Sequence, residues 1–255
     1  MSEAASLLFD AGNTRLKWGI YEYGRIGRSG SVTHEALRDT GFAALLTKLP
    51  RRVEQVLACN VAGASFGTRL SAAMGLHCDA DVRFVHSEKR AFGVTNGYAS
   101  PRRLGVDRWV ALIAAYAERR SAAVVVDAGT AVTIDVIDKT GAHLGGQIIP
   151  GLRLMSSCLS MQTAEIPPVG QRRLAASGSG NFANNTGAAI INGACNAVCG
   201  AIDRAVRAAR TSGMRPRIVL TGGDASSILK LLDGTVQHRP NLVLQGLAHI
   251  INSES

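Results

Sequence analysis

No stretch of this chain stays apolar for the roughly 18 residues that suggest a membrane span. The opening MSEAASLLFD has neither a basic start nor a long apolar segment, so no secretory leader is expected and the protein is expected in the cytoplasm, away from membranes. Cysteine is sparse and odd in number: Cys59, Cys78, Cys158, Cys195 and Cys199 are scattered, which argues against a disulfide framework. Cys195 and Cys199 are four apart in a helical stretch with no histidine close in sequence, and read as packed thiols in preference to zinc ligands. Aromatic residues make up only 5% of the chain, and no segment alternates basic with stacking residues. The formal net charge of +9 therefore does not define a nucleic-acid surface. The arginine pairs at 51–52, 102–103, 119–120 and 172–173 are dispersed, and read as solvated surface that also attracts anions. GxxxxGK[ST] and the HRD and DFG motifs are missing, which excludes the P-loop and protein-kinase plans for holding ATP.

What is present fits a globular protein: 255 residues, 46% hydrophobic and 18% charged, can bury a large core. LLFDAGNTRLKWGIYEYG at 7–24 reads as a hairpin. Apolar residues lead into Asp10, Gly12 permits a turn, and Leu16, Trp18 and Ile20 resume alternation. Gly12, Asn13 and Thr14 can offer N–H and O–H groups to an anion, with Asp10 holding a cation or aligning a nucleophile. An ordinary Gly/Asn/Thr turn is the plain alternative. Lys17 can reach a phosphate from the second strand, or lie on a solvated face.

VVVDAGTAVTIDVIDKTG at 124–141 repeats the pattern. Asp127 falls on Asp10 and Gly129 on Gly12 at an offset of 117 residues (127 minus 10), taken without a gap. A period of nearly half the chain suggests two related domains, expected at 1–117 and 118–255, and not a solenoid. Val132, Ile134 and Val136 are expected on one face of the second hairpin. A third cluster, RIVLTGGDAS at 217–226, follows an apolar run and has two glycines that permit close approach by a flat or charged ligand. Three such turns fit a nucleotide cleft between two half-domains.

Between the tips, 35–49 is expected to be helical despite Gly41, 53–62 a strand, 63–75 a helix and 82–86 a strand. GVTNGYASPRRLGVDRWVALIAAYAERR at 93–120 begins polar and turn-forming around Asn96, Gly97 and Pro101, then places Trp109, Leu112, Ile113 and Tyr116 at helical spacing. Asp107 lies in or beside the first turn of that helix, where unpaired amides and the dipole favour its ionised form as a base or acceptor. A simple helix cap is the alternative. Trp109 reads as core packing, and Arg108 as either a surface residue or a phosphate clamp. The glycines and prolines of 142–183, including Pro167 and Pro168, suggest loops and a cover over the cleft. A long small-residue helix is expected over 186–210, and Thr186 stands where a hydroxyl can cap it. His143 has no evident acid or nucleophile companion and reads as structural or surface.

Phosphoryl transfer from ATP needs a neutralised polyphosphate, an in-line acceptor hydroxyl and an acid to orient or deprotonate it. Asp10 and Asp127 suit the first need and Asp107 the last. Across nearly its whole length the chain resembles type III pantothenate kinases, members of the acetate and sugar kinase, Hsc70 and actin superfamily. The resemblance is carried by DAGNTRLK at 10–17, NGYASPRRLGVDR at 96–108, DAGTAVTID at 127–135, GGQIIPG at 145–151, the helix start at Thr186 and TGGDA at 221–225, in that order.

The resemblance implies an α/β fold of two ribonuclease H-like (actin-like ATPase) domains with a nucleotide cleft between them. It implies that Asp10, Ala11, Gly12, Asn13, Thr14, Arg15, Leu16 and Lys17 form the first phosphate motif, with Asp10 near magnesium (Mg2+). Asp127 matches a monovalent-cation ligand served by K+ or NH4+, Thr130 a nucleotide-binding threonine, and Gly222 and Gly223 the adenosine motif. Asp107 matches the proton acceptor, and Tyr98, Gly105, Val106, Arg108 and Thr186 match the pantothenate pocket. The implied reaction is ATP plus pantothenate giving ADP and 4'-phosphopantothenate, the first step of coenzyme A synthesis, in a homodimer. An ATP-binding regulatory or accessory protein on the same fold is the alternative, as is a kinase or phosphatase of the superfamily acting on another small molecule.

Overall fold

A computed structural model describes residues 5–162 and 182–254. Of 142–183, expected as loops and a cover, His143–Pro150 is a strand and Leu152–Gln162 a helix, and the part containing Pro167 and Pro168 lies outside the described residues. The chain divides into two compact units, Met1–Glu118 with Leu242–Ser255, and Arg119–Asn241.

The first unit carries a five-stranded sheet of order β3-β2-β1-β4-β5: β1 (Ser6–Ala11), β2 (Arg15–Glu22), β3 (Arg25–Thr33), β4 (Gln55–Asn60) and β5 (Val82–Phe84). β1 is central, antiparallel to β2 and parallel to β4, and every residue in it is buried. That two-sided burial explains the continuous apolar run LLF at 7–9. Leu7, Phe9 and Ala11 pack with Leu16, Trp18 and Ile20, joined by residues from α1 (His34–Thr40), α2 (Ala43–Leu46) and α3 (Ala64–Cys78). Ser6, Leu8 and Asp10 alternate to the opposite face. Thr33 caps α1 by accepting from the Ala36 amide, and Gly41 at φ 61 ends it, so the helix expected over 35–49 is two short ones. A small hairpin, β6 (Arg90–Ala91) and β7 (Val94–Thr95), precedes α4 (Val106–Glu118).

The second unit repeats the plan as β10-β9-β8-β11-β12. Its strands are β8 (Ala123–Ala128), β9 (Ala131–Ile137), β10 (His143–Pro150), β11 (Arg217–Thr221) and β12 (Val236–His238), and its helices are α5 (Leu152–Gln162), α6 (Thr186–Thr211) and α7 (Ala225–Leu229). Val124, Val126, Val132 and Ile134 pack with Ile191, Cys195, Val198, Cys199 and Ile202 of α6. Burial pushes the Cys195 thiol up, with the Asp224 charge adding to it, and pushes Cys199 up to about 12, so both are inert packed thiols.

Two departures from the sequence expectation are informative. The last helix, α8 (Leu242–Glu254), belongs to the first unit, whereas 118–255 was expected to form one domain. Its Gly246 lies so close to α4 that an added Cβ would stand 2.3 Å from the Val110 carbonyl oxygen, and Arg83 holds Glu254 with two hydrogen bonds. The repeat is also not gapless. Ala11 faces Leu16 across the first tip, closed by Gly12, Asn13, Thr14 and Arg15. Ala128 faces Val132 across the second, closed by Gly129, Thr130 and Ala131 only. One residue fewer moves β9 by one position, which is why Val132 and Ile134, and not Thr133 and Asp135, turn to the core.

Candidate active site

In the first unit, three main-chain hydrogen bonds fix the DAGNT tip. The Gly12 amide donates to Arg15 O at 3.1 Å, the Val61 amide to Ala11 O at 2.9 Å, and the His34 amide to Thr14 O at 2.9 Å. Asn13, Thr14 and Arg15 are left exposed, while the Ala11 and Leu16 side chains lie in the core and offer a ligand only their backbone. Asp10 is buried and sits opposite Lys17 in the β1–β2 register, with Nζ 3.8 Å from Oδ2. Lys17 thus pairs with Asp10 from the half-open strand face, a partner not foreseen in the sequence.

The loop entering α4 is organised on Asn96, which is fully buried. Its amide donates to Lys89 O, its Nδ2 to Pro101 O, and its Oδ1 accepts from the Tyr98 amide at 3.0 Å. Ser87 Oγ donates to Leu104 O at 2.8 Å. These bonds present Tyr98, whose hydroxyl accepts from Arg108 Nη1 at 2.9 Å. Arg108 is buried, so it is not a surface residue, and Trp109 beside it is fully buried in the core. Asp107 occupies the first turn of α4, its Oδ1 accepting from the Arg108 amide at 2.8 Å. It also lies only 2.6 Å from where a Cβ would stand on Gly105, so a side chain there would have to push the carboxylate aside. Tyr98, Gly105, Asp107 and Arg108 are therefore brought together, with Val106 as the first helical residue. Thr186 belongs to the second unit, exposed at the start of α6. The cap of that helix is Asn185, accepting from the Ala188 amide at 2.9 Å, and not Thr186. Asn185 precedes the helix in extended conformation, the position from which a side-chain oxygen reaches the N3 amide, whereas Thr186 is already the first helical residue.

In the second unit, the DAGTA tip is packed from two sides. Gly151 donates to Thr130 O at 3.0 Å and comes so close that a Cβ would meet Gly129 O at 2.2 Å. Gly222, at φ +102, backs onto Ala128 with no room for a side chain, and the Asp224 amide donates to Ala128 O at 2.9 Å. Thr130 and Gly129 thus share one surface with Gly222, Gly223 and Asp224. Asp127 faces Thr133 and Thr221 on the neighbouring strands, where Asp10 faces lysine. The paired strand positions of the equivalent aspartate carry hydroxyl-bearing residues, which suits an oxygen-lined place for a small cation. Among the described residues no group of three or more His, Cys, Asp or Glu forms a metal cluster. Mg2+ in phosphoryl-transfer sites needs only one or two carboxylates beside the substrate phosphates, so Asp10 remains a fitting donor. His143 proves to be internal: it is buried on β10 with Nε2 2.8 Å from Asp135 Oδ1. The companion acid missed in the sequence comes from the adjacent strand.

Sequence reasoning did not single out Gly151, Arg153, Asp224 or the anchoring role of Asn96. The Asn-Gly pair at 96–97 was the visible trace of the last.

Two units, each with three antiparallel strands continued by two parallel ones and each carrying an Asp-Ala-Gly tip, give the fold of the actin-like ATPase and sugar kinase class. Solved structures share the fold. An ethanolamine utilization protein, EutJ, from Carboxydothermus hydrogenoformans is 15% identical at a TM-score of 0.56, covering 97% of this chain and 90% of that one. The activator of the 2-hydroxyisocaproyl-CoA dehydratase from Clostridium difficile, with bound ADPNP, is 11% identical at a TM-score of 0.51, covering 98% of both. A profile of the type III pantothenate kinase family matches residues 6–208. A type III pantothenate kinase from Nitrosococcus oceani is 36% identical, covering 98% of this chain and 94% of its own. Another, from Aromatoleum aromaticum, is 38% identical over 98% of each. The chain belongs to the type III pantothenate kinase family.

Proposed function

We propose that the protein transfers the γ-phosphoryl group of ATP to the 4'-hydroxyl of pantothenate, yielding ADP and 4'-phosphopantothenate. The observation that supports this most directly is the placement of Asp107 on the first turn of α4, beside Gly105 and next to the buried Arg108–Tyr98 pair. The hydroxyl proton passes to the Asp107 carboxylate as the hydroxyl oxygen bonds to phosphorus. The bond from phosphorus to the β,γ-bridging oxygen breaks, and ADP leaves with that oxygen. Arg108 and Tyr98 orient pantothenate, and Thr186 adds a hydroxyl. The exposed Gly12–Arg15 tip receives phosphates through its backbone and the Asn13 and Thr14 side chains, and Thr130, Gly222 and Gly223 hold the rest of the nucleotide. Asp10 would hold Mg2+, and Asp127 K+ or NH4+; such cations supply charge neutralisation to the phosphates. The working form is a homodimer in the cytoplasm. Among the described residues no helix is long and apolar enough to cross a membrane.

The test incubates purified protein with Mg-ATP and pantothenate in potassium or in sodium, and follows 4'-phosphopantothenate by mass spectrometry. Product formation stimulated by potassium is expected. A folded protein that binds ATP yet makes no product in either salt would overturn the assignment.

A further inference from the structure

We propose that Arg153 is a charge-neutralising clamp for ATP phosphates, allowing them to reach the second tip beside the carboxylate of Asp224; this rests on the reading that the second tip and the TGGDA turn bind ATP. Asp224 is tied to that tip through its own amide, which donates to Ala128 O at 2.9 Å. Its side chain is largely buried, 15% exposed, so its negative charge is poorly screened by water. A carboxylate fixed so near a polyphosphate site repels the ligand it serves. Arg153 is built to cancel it: Nη2 stands 3.6 Å from Asp224 Oδ1. The arginine also starts from a locked position. Gly151, two residues earlier, bonds to Thr130 O and packs against the Gly129 carbonyl. The tip, α5 and the TGGDA turn are therefore held in a closed ring of contacts running from Ala128 through Thr130, Gly151, Arg153 and Asp224 back to Ala128. The Arg153 side chain is 51% exposed. A guanidinium carries five N–H donors in a planar fork, so one edge can serve Asp224 while the open edge meets phosphate oxygens. This supplies, from outside the recognised glycine motifs, the positive charge that a P-loop lysine supplies in other ATP sites.

Calorimetric titration of the full-length protein with Mg-ATP and with adenosine tests this. Arg153→Ala should weaken Mg-ATP about tenfold, the worth of one charge-assisted contact, and leave adenosine affinity at the parent value. Arg153→Lys keeps the charge but not the fork and should fall between. The double variant Arg153→Ala/Asp224→Asn should regain affinity over Arg153→Ala, because the repelling carboxylate has gone. The melting temperature should change little, since the pair is 3.6 Å apart and Arg153 is half exposed, so water can take its place beside Asp224. Unchanged Mg-ATP affinity in Arg153→Ala, an equal loss for adenosine, or no recovery in the double variant would each overturn the clamp. Thr130→Val is the control for the underlying reading. If it leaves Mg-ATP binding intact, or if the parent binds no Mg-ATP, the nucleotide assignment of this unit falls and the clamp falls with it. Loss in Thr130→Val with none in Arg153→Ala removes the clamp alone.

Discussion

The Arg108 guanidinium donates to the Tyr98 hydroxyl at 2.9 Å and stands 5.6 Å from the centre of the same ring. A buried cation is thereby held by a residue whose backbone hangs from Asn96. Replacing Tyr98 with Phe keeps the ring but removes the acceptor. The pantothenate KM should rise about tenfold, as expected when a charged group loses a hydrogen bond worth about 1.5–3 kcal/mol, with the ATP KM unchanged. Steady-state kinetics with each substrate varied would decide it, and an unchanged pantothenate KM would remove Tyr98 from the pocket.

Asp107→Asn preserves shape and the hydrogen bond from the Arg108 amide while removing the base. Turnover should fall by about 10²-fold or more with the melting temperature near the parent's. Gly105→Ala offers an independent route to the same conclusion. Its methyl would stand 2.6 Å from Asp107 Oδ1 and must displace the carboxylate, so kcat should drop without loss of nucleotide binding. A turnover in Asp107→Asn within about threefold of the parent would reject the base role.

The duplication was legible because β1 and β8 carry the same offset, and their tips both need Asp, a small residue and Gly at the end of a buried strand. That Tyr98, Gly105, Asp107 and Arg108 are neighbours was legible for a related reason: their order along 96–108 is local, and one loop and one helix turn hold these four. The one-residue difference between the tips was hidden because a hairpin's register is set by its turn, and Ile137 still matched Ile20 by type. Nor did the sequence reveal that α8 packs with the first unit, since its contact with α4 joins residues as far apart as Val110 and Gly246. Asp135 with His143 shows the same limit, an acid and a base made neighbours by strand pairing alone.

Asp127 should govern the response to monovalent cations. Asp10 has Lys17 across the ladder, but Asp127 has Thr133. Asp127→Ala should abolish stimulation by potassium and raise the ATP KM while leaving the fold intact. Thr133→Lys, which sets an ammonium group opposite Asp127 as Lys17 is set opposite Asp10, should make activity less dependent on potassium. Activity measured across a potassium–sodium series, with a melting scan, would separate these effects from unfolding. An unaltered potassium response in Asp127→Ala would sink the assignment.

Gly246→Ala should destabilise the first unit. The added methyl would meet the Val110 carbonyl oxygen at 2.3 Å, a backbone atom that cannot rotate away, so α8 and α4 must separate. Overpacking of this kind costs about 1–3 kcal/mol. Urea unfolding followed by circular dichroism would show a lower midpoint, and a midpoint equal to the parent's would mean that the helices part at no cost.

His34 should make the first phosphate tip sensitive to acid. Its ring stacks on Phe66 with centroids 4.6 Å apart, its Nε2 is buried without a hydrogen-bond partner among the described residues, and its amide holds Thr14 O at 2.9 Å. Burial lowers its pKa from the ordinary 6.5, and the charges of Arg38 and Arg69 lower it further. The unfolded chain therefore takes up a proton at a higher pH than the folded one. Stability from this group is fully present above 6.5 and is lost as pH falls below it toward the folded value. Chemical denaturation should give a falling unfolding free energy from pH 7 to pH 5 whose slope is reduced in His34→Phe, a change that keeps the stacked ring and deletes the titrating nitrogen. The ATP KM of the parent should rise over the same interval if the Thr14 carbonyl loosens with the helix start, and should rise less in the variant. Equal slopes in parent and variant would show that the histidine takes its proton without cost to the fold.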